Sequence, residues 1–223
     1  MNVIPSAAPP EAPKDCPLCP RLVGYREQNQ RAEPTWFNGA APSFGDPDAR
    51  LLIVGLAPGR TGANRTGRPF TGDYAGELLY GTLKKLGFAE GEYRADPNDG
   101  LTLKGAMITN AVRCAPPENK PTPLEIATCR PFLISRIAAL PKLKVLFALG
   151  SIAHESALRA HGLKPTAAKF AHGAEAQLPG GRWLVSSYHC SRYNTQTRRL
   201  TAEMFETAMQ RAKDIIAQQE KRA

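Results

Sequence analysis

Apolar positions along the chain gather into four short runs, separated by longer stretches with helical spacing. Leu51–Gly55 is a five-residue run with polar residues before it and glycine at its end. Such a run reads as a strand buried on both faces. A Gly- and Arg-bearing loop follows, and a helix is predicted from about Asp73, with Leu79, Leu83 and Leu86 on one face and a stop at Gly87. The second strand is predicted at Ala106–Val112, the third at Lys144–Leu149 and the fourth at Trp183–Ser187.

Between the second and third strands, Thr122-Pro-Leu-Glu125 reads as a helix start. Threonine caps, proline suits the first helical position, and the glutamate stands where a capping box needs it. Pro131 is expected to kink or restart that helix. Ser151 is the expected cap of a helix running to about Ala160. A last helix is predicted from about Thr197 to Glu220, with Leu200, Met204, Ala208, Ala212 and Ile215 on one face. A polar helical stretch precedes Arg31; residues 33–48, 88–100 and 162–181 read as loops, the last as loop or hairpin.

Strands alternating with helices predict an α/β fold: a three-layer α/β/α sandwich around a four-stranded parallel sheet. In such sheets ligands sit at the carboxyl ends of the strands. Residues 1–15, rich in Pro and Ala, read as a mobile N-terminal arm, and residues 16–223 as one domain without internal repeats.

Charge narrows the partner. The 29 basic and 20 acidic residues give a net +9, which fits an anionic partner such as nucleic acid or a merely soluble basic protein. No apolar run approaches the roughly 18–20 residues of a membrane span, and the first fifteen residues lack a secretory pattern. The expectation is a cytoplasmic protein with no membrane partner, acting as a monomer.

Five cysteines in a reducing compartment point to metal or redox chemistry rather than disulfides. Cys16 and Cys19 form a C-x-x-C pair; Cys114 and Cys129 follow with fourteen residues between them. Four thiolates suit tetrahedral zinc or an iron–sulfur cluster, and the spacing does not separate the two. The plainer alternative is two unrelated pairs of thiols. Cys190 adjoins His189, and neighbours in extended chain point to opposite sides, which disfavours a Cys–His nucleophile.

CPLC, GLAPG, RPFTGD, TNAVRCAPP and SSYHCSRYNTQTRRLT, in this order from Cys16 to Thr201, resemble the uracil-DNA glycosylase superfamily. Its families 4 and 5 hold a [4Fe-4S] cluster on four cysteines, which the resemblance carries to Cys16, Cys19, Cys114 and Cys129. Family 4 has a glutamate in the first motif. Here Ala57 stands there, and GLAPG with GANRTGRPFTGD looks like family 5, the broader-specificity branch. Cys190 stands where that family usually has proline.

The resemblance implies hydrolysis of the N-glycosidic bond of uracil and other deaminated or modified bases in double-stranded DNA, which starts base-excision repair; single-stranded DNA stays open as a further substrate. Phe70 would stack on the flipped base; a small local core contact is the alternative. Asn110, at a strand end, would read the base edge with its amide donor and acceptor. His189 would hydrogen-bond the departing base. Asp73 is the nearest acid to orient water or stabilise the sugar cation, yet it also occupies a helix N-cap position. Gly55, Leu56 and Gly59 would supply backbone around the base.

Arg60, Arg65 and Arg68 would touch phosphates, or remain solvated. Ser191, Arg192, Tyr193 and Asn194 would form the loop entering the minor groove. Two competing classes are a non-catalytic iron–sulfur nucleic-acid binder and a zinc-stabilised α/β hydrolase of nucleotides.

Overall fold

The four apolar runs lie side by side as parallel strands, and nearly every residue in them is buried. The computed structural model describes residues 10–221. Its first part comprises α1 (Pro20–Ala32), β1 (Phe44–Gly45), β2 (Leu51–Gly55), α2 (Ala63–Thr66), α3 (Tyr74–Lys85), β3 (Ala89–Glu90), β4 (Thr102–Leu103) and β5 (Ala106–Asn110). There follow α4 (Pro123–Ala138), β6 (Val145–Leu149), α5 (Ser151–Ala160), β7 (Glu175–Gln177), β8 (Trp183–Ser187), α6 (Arg192–Gln196) and α7 (Ala202–Glu220).

The main sheet has six strands in the order β1-β5-β2-β6-β8-β7, not the four expected. The four predicted strands form its parallel centre. The additions are antiparallel edges: β1 on β5 and β7 on β8. At two and three residues, both are too short to show a periodicity. β3 and β4 pair as a separate ribbon.

Successive strand residues point to opposite faces, so each strand feeds two cores. Leu51, Ile53, Ile108, Val145, Phe147 and Val185 pack with Leu79 and Leu83 of α3 and Phe205, Met209 and Ala212 of α7. Leu52, Val54, Met107, Leu146, Ala148 and Leu184 pack with Leu133 and Ile137 of α4 and Ala153 and Ala157 of α5. These two clusters make the α/β/α layering.

Three local expectations changed. α4 runs unbroken through Pro131, which lies on its exposed face, and its Thr122–Glu125 capping box is present. Gly150, not Ser151, caps α5; its φ of 94° is one that glycine adopts without strain. The C-terminal helix begins at Ala202, capped by Thr201, after the separate short helix α6.

Of the arm expected over residues 1–15, residues 1–9 lie outside the described residues. Residues 10–15 lie against the body: Ala12 is buried, and Glu11 pairs with Arg113 and Arg136.

Candidate active site

The carboxyl ends of β2, β5 and β8 deliver Gly55, Asn110 and, just beyond β8, His189 to one crevice. Gly55 has no room for a side chain: a Cβ there would lie 2.4 Å from Asn110 Oδ1 and 2.7 Å from Phe70 Cζ. Glycine thus lets the Asn110 amide and the Phe70 ring close over the strand end. The Phe70 and His189 rings stack with centroids 5.8 Å apart at 28°. The carbonyl oxygens of Gly55 and Leu56 accept from the N–H groups of Ala111 and Val112, joining the first motif to the strand end bearing Asn110.

Phe70 sits in the left-handed region, at φ 54°. Its carbonyl accepts from the Tyr93 hydroxyl (3.1 Å), and the neighbouring Pro69 carbonyl accepts from the Tyr80 hydroxyl (2.6 Å). Arg68, expected at phosphates, is buried instead. Its guanidinium donates two 2.7 Å hydrogen bonds to Asp99 and lies over the rings of Phe44, Tyr80 and Tyr93. It is an anchor for the loop that carries Phe70, not a DNA contact. Asp99 and Tyr93 come from the turn-rich stretch 88–100, where no periodicity marked them.

Asp73 precedes α3 as its N-cap residue, and the Gly59–Gly62 turn wraps its carboxylate. Cβ atoms at Gly59 and Gly62 would lie 3.5 Å and 2.4 Å from Asp73 Oδ2. Burial raises the Asp73 pKa above its ordinary value. The amides of Gly76 and Ala75 pull it back, although neither closes a capping hydrogen bond of normal geometry. Burial also holds His189 down to about 4, so its imidazole is neutral at pH 7.

Three buried polar atoms here have no hydrogen-bond partner among the described residues: Asp73 Oδ1, Asn110 Oδ1 and His189 Nδ1. A buried unpaired polar atom costs about 1–3 kcal/mol; Asn110 Oδ1 and His189 Nδ1 lie beside Phe70 at the strand ends, and Asp73 Oδ1 lies at the head of α3.

The mouth of the crevice is basic and aromatic. Ser191 Oγ caps α6, and the Asn194 amide donates to the His189 carbonyl (2.8 Å), so these two build the loop from within. Arg192 and Tyr193 project outward; Tyr193 is 71% exposed. The Arg192 guanidinium lies 5.3 Å from the ring of exposed Tyr74, which the sequence reading did not single out. Arg65 is exposed; Arg60, also exposed, donates to Asn29 Oδ1 (2.9 Å) over Trp36.

Cys16, Cys19, Cys114 and Cys129 line a second cavity, walled by Leu22, Val112 and Phe132. Cys19 caps α1, Cys114 follows β5 and Cys129 lies on α4. The Arg113 N–H donates to Cys129 Sγ (3.3 Å), and Arg26 reaches Cys114 Sγ (4.0 Å) and the Cys16 carbonyl. Burial pushes the Cys114 and Cys129 thiols up, to about 12 and about 11, and these donors only partly oppose it. Among the described residues, no three His, Cys, Asp or Glu side chains are arranged to hold one metal ion. Four sulfurs on the walls of a common cavity are a soft donor set of the kind that takes a metal or a metal–sulfur group. Cys190 is fully buried beside the active crevice and is apart from this set.

The parallel sheet and its loops thus bring an aromatic face, an amide and a neutral imidazole together at the strand ends, with a half-buried carboxylate at the head of α3. The chain belongs to the uracil-DNA glycosylase superfamily, whose family model matches residues 42–213. It is 50% identical to a type-5 uracil-DNA glycosylase of Thermus thermophilus, over 90% of this chain and 93% of that one. It is 41% identical to a type-5 uracil-DNA glycosylase of Mycobacterium tuberculosis, over 90% of this chain and 78% of that one. A type-4 uracil-DNA glycosylase of Thermotoga maritima is 31% identical, over 74% of this chain and 78% of that one.

Proposed function

We propose that this chain is a DNA glycosylase that hydrolyses the N-glycosidic bond of uracil, and of other deaminated or modified bases, in double-stranded DNA and so starts base-excision repair. One observation supports the reading: at the strand ends the Asn110 amide and the Phe70 ring close over Gly55, His189 stacks on Phe70, and Asn110 Oδ1 and His189 Nδ1 are both unpaired.

An extrahelical base stacks on Phe70. Asn110 Oδ1 accepts its imino N–H. His189, neutral at pH 7, donates from a ring nitrogen to the oxygen where charge develops as the base leaves as an anion. The Asp73 carboxylate faces the sugar, orients the attacking water and opposes the oxocarbenium charge. Arg192 and Tyr193 enter the minor groove and support the unstacked state, while Arg60 and Arg65 hold phosphates.

Cys16, Cys19, Cys114 and Cys129 would hold a [4Fe-4S] cluster in one domain over residues 16–223. When bound, the group supplies a rigid covalent tie between the N-terminal segment and α4, with no part in the hydrolysis. Ala57 packs against the cysteine cluster, so the first motif sits between the two sites.

None of the five cysteines is joined in a disulfide, which fits a reducing, cytoplasmic setting. Among the described residues no helix is long and apolar enough to cross a membrane. Exposed large apolar side chains stand singly (Leu18, Leu124) or at the crevice mouth (Tyr74, Tyr193), consistent with a monomer.

Purified chain incubated with a uracil-containing duplex should release free uracil and leave an abasic site. The same brown sample should hold about four iron and four sulfide per chain. Binding without base release would favour the non-catalytic reading, and a colourless zinc protein would favour the nucleotide-hydrolase reading.

A further inference from the structure

The segment that carries His189 is gripped from outside the crevice by residues 168–174. Gly173 N–H donates to the Ser186 carbonyl (2.7 Å), and Ser186 N–H to the Ala174 carbonyl (2.9 Å), extending the β7–β8 pairing toward the strand end. His154, buried on α5, spans the Ser186 hydroxyl (2.7 Å) and the Ala168 carbonyl (2.9 Å).

His172 sits at the last step of this strap. Tyr188 N–H donates to His172 Nδ1 at 3.4 Å, and Ser187 Oγ lies 3.3 Å from the same nitrogen. A backbone N–H only donates, so Nδ1 bears the lone pair and the proton sits on Nε2. The His172 ring also stacks on Tyr188, with centroids 5.3 Å apart at 28°. Phe170 at 6.1 Å and the Arg199 guanidinium at 4.7 Å enclose the same Tyr188 ring.

Tyr188 and His189 are consecutive just past the end of β8. Tyr188 is held among His172, Phe170 and Arg199, while His189 stacks on Phe70, so fixing the first residue fixes the backbone from which the second leaves the chain. We propose that His172 is a positioning residue for His189: it clamps Tyr188 through Nδ1 and its ring face, and so aims the His189 imidazole into the crevice. The inference rests on the reading of His189 as the group that meets the departing base.

The test is single-turnover release of uracil from a duplex, with duplex affinity measured alongside. His172→Ala should slow release about tenfold, the scale of loss when a reacting group is misplaced by a fraction of an ångström, while affinity changes less than about twofold. His172→Asn retains an acceptor at the Nδ1 position and should recover most of the rate. In a His189→Ala background, adding His172→Ala should change the rate less than about twofold, because there is no imidazole left to aim.

Wild-type rates in His172→Ala, or an undiminished tenfold loss in the His189→Ala background, would overturn the clamp. A readout independent of turnover is the NMR signal of the His189 ring. It should shift in His172→Ala and return in His172→Asn; an unmoved signal overturns the clamp even in a protein that releases no base. Failure of the wild-type protein to release any base, with the ring signal moving as expected, would count against the glycosylase reading alone.

Discussion

Asp73→Asn should lower single-turnover base excision by about 10²–10³-fold, the range that a positioned acid–base group contributes, and leave duplex affinity within about twofold. Asparagine keeps the shape and suits the N-cap position of α3, so a purely structural Asp73 would tolerate the change. The carboxylate charge is what it loses.

Burial raises the folded-state pKa of Asp73 above its ordinary value, which gives two further signs. The folded protein binds this proton more tightly than the unfolded chain, so stability falls as pH rises through the raised pKa and the buried carboxyl ionises. Asp73→Asn removes that cost and should leave the melting temperature at pH 7 unchanged or higher. The excision rate of the wild-type protein should fall as pH drops through the same raised pKa, and the variant should lack that limb. A variant with wild-type turnover, or one that loses activity only because it melts earlier, would contradict a catalytic Asp73.

Asp99→Ala should destabilise the fold by about 3–5 kcal/mol, the cost of leaving a buried charge unpaired. The Arg68 side chain is 5% exposed and that of Asp99 is 0% exposed. Asp99 also accepts from the N–H groups of Arg94 and Leu101. Arg68 holds the Asp99 carboxyl far below the usual carboxylate range, so this stability is present above the unfolded pKa and disappears as pH falls below it. Urea unfolding at pH 7 reads the loss. Because Arg68 anchors the turn before Phe70, residual folded protein should also excise slowly. A loss below about 1 kcal/mol would show that the pair is solvated and that the Phe70 loop is held by something else.

The elements legible in the chain were those with length and rhythm. Leu51–Gly55 and Trp183–Ser187 coincide with strands as read, Ala106–Val112 and Lys144–Leu149 to within two residues, and α4 starts at its predicted capping box. The edge strand β1 falls in a stretch read as loop, and β7 in one read as loop or hairpin, because a strand of two or three residues has no period. Pro131 reads as a break because a lone proline is judged without its surroundings; in the fold it lies on the exposed face of α4, which continues through it.

The site was legible in its motifs but not in its supports. Asp73, Asn110, Phe70 and His189 lie in short, recognisable runs. Arg68 reads as one of three loop arginines until the fold brings Asp99 to it from 31 residues away. His172 and Tyr74 lie outside the stretches read as chemistry, and their contacts are set by tertiary packing. The reverse holds for the cysteines: their spacing raised a shared site, and the fold sets all four on one cavity.

The most direct measurement is a crystal structure of the Asp73→Asn chain with a duplex carrying one uracil. The account expects the uracil outside the helix, stacked on Phe70, with its edge within hydrogen-bond distance of Asn110 Oδ1 and His189 and its sugar facing residue 73. A uracil still paired in the duplex, or held elsewhere on the protein surface, would contradict it.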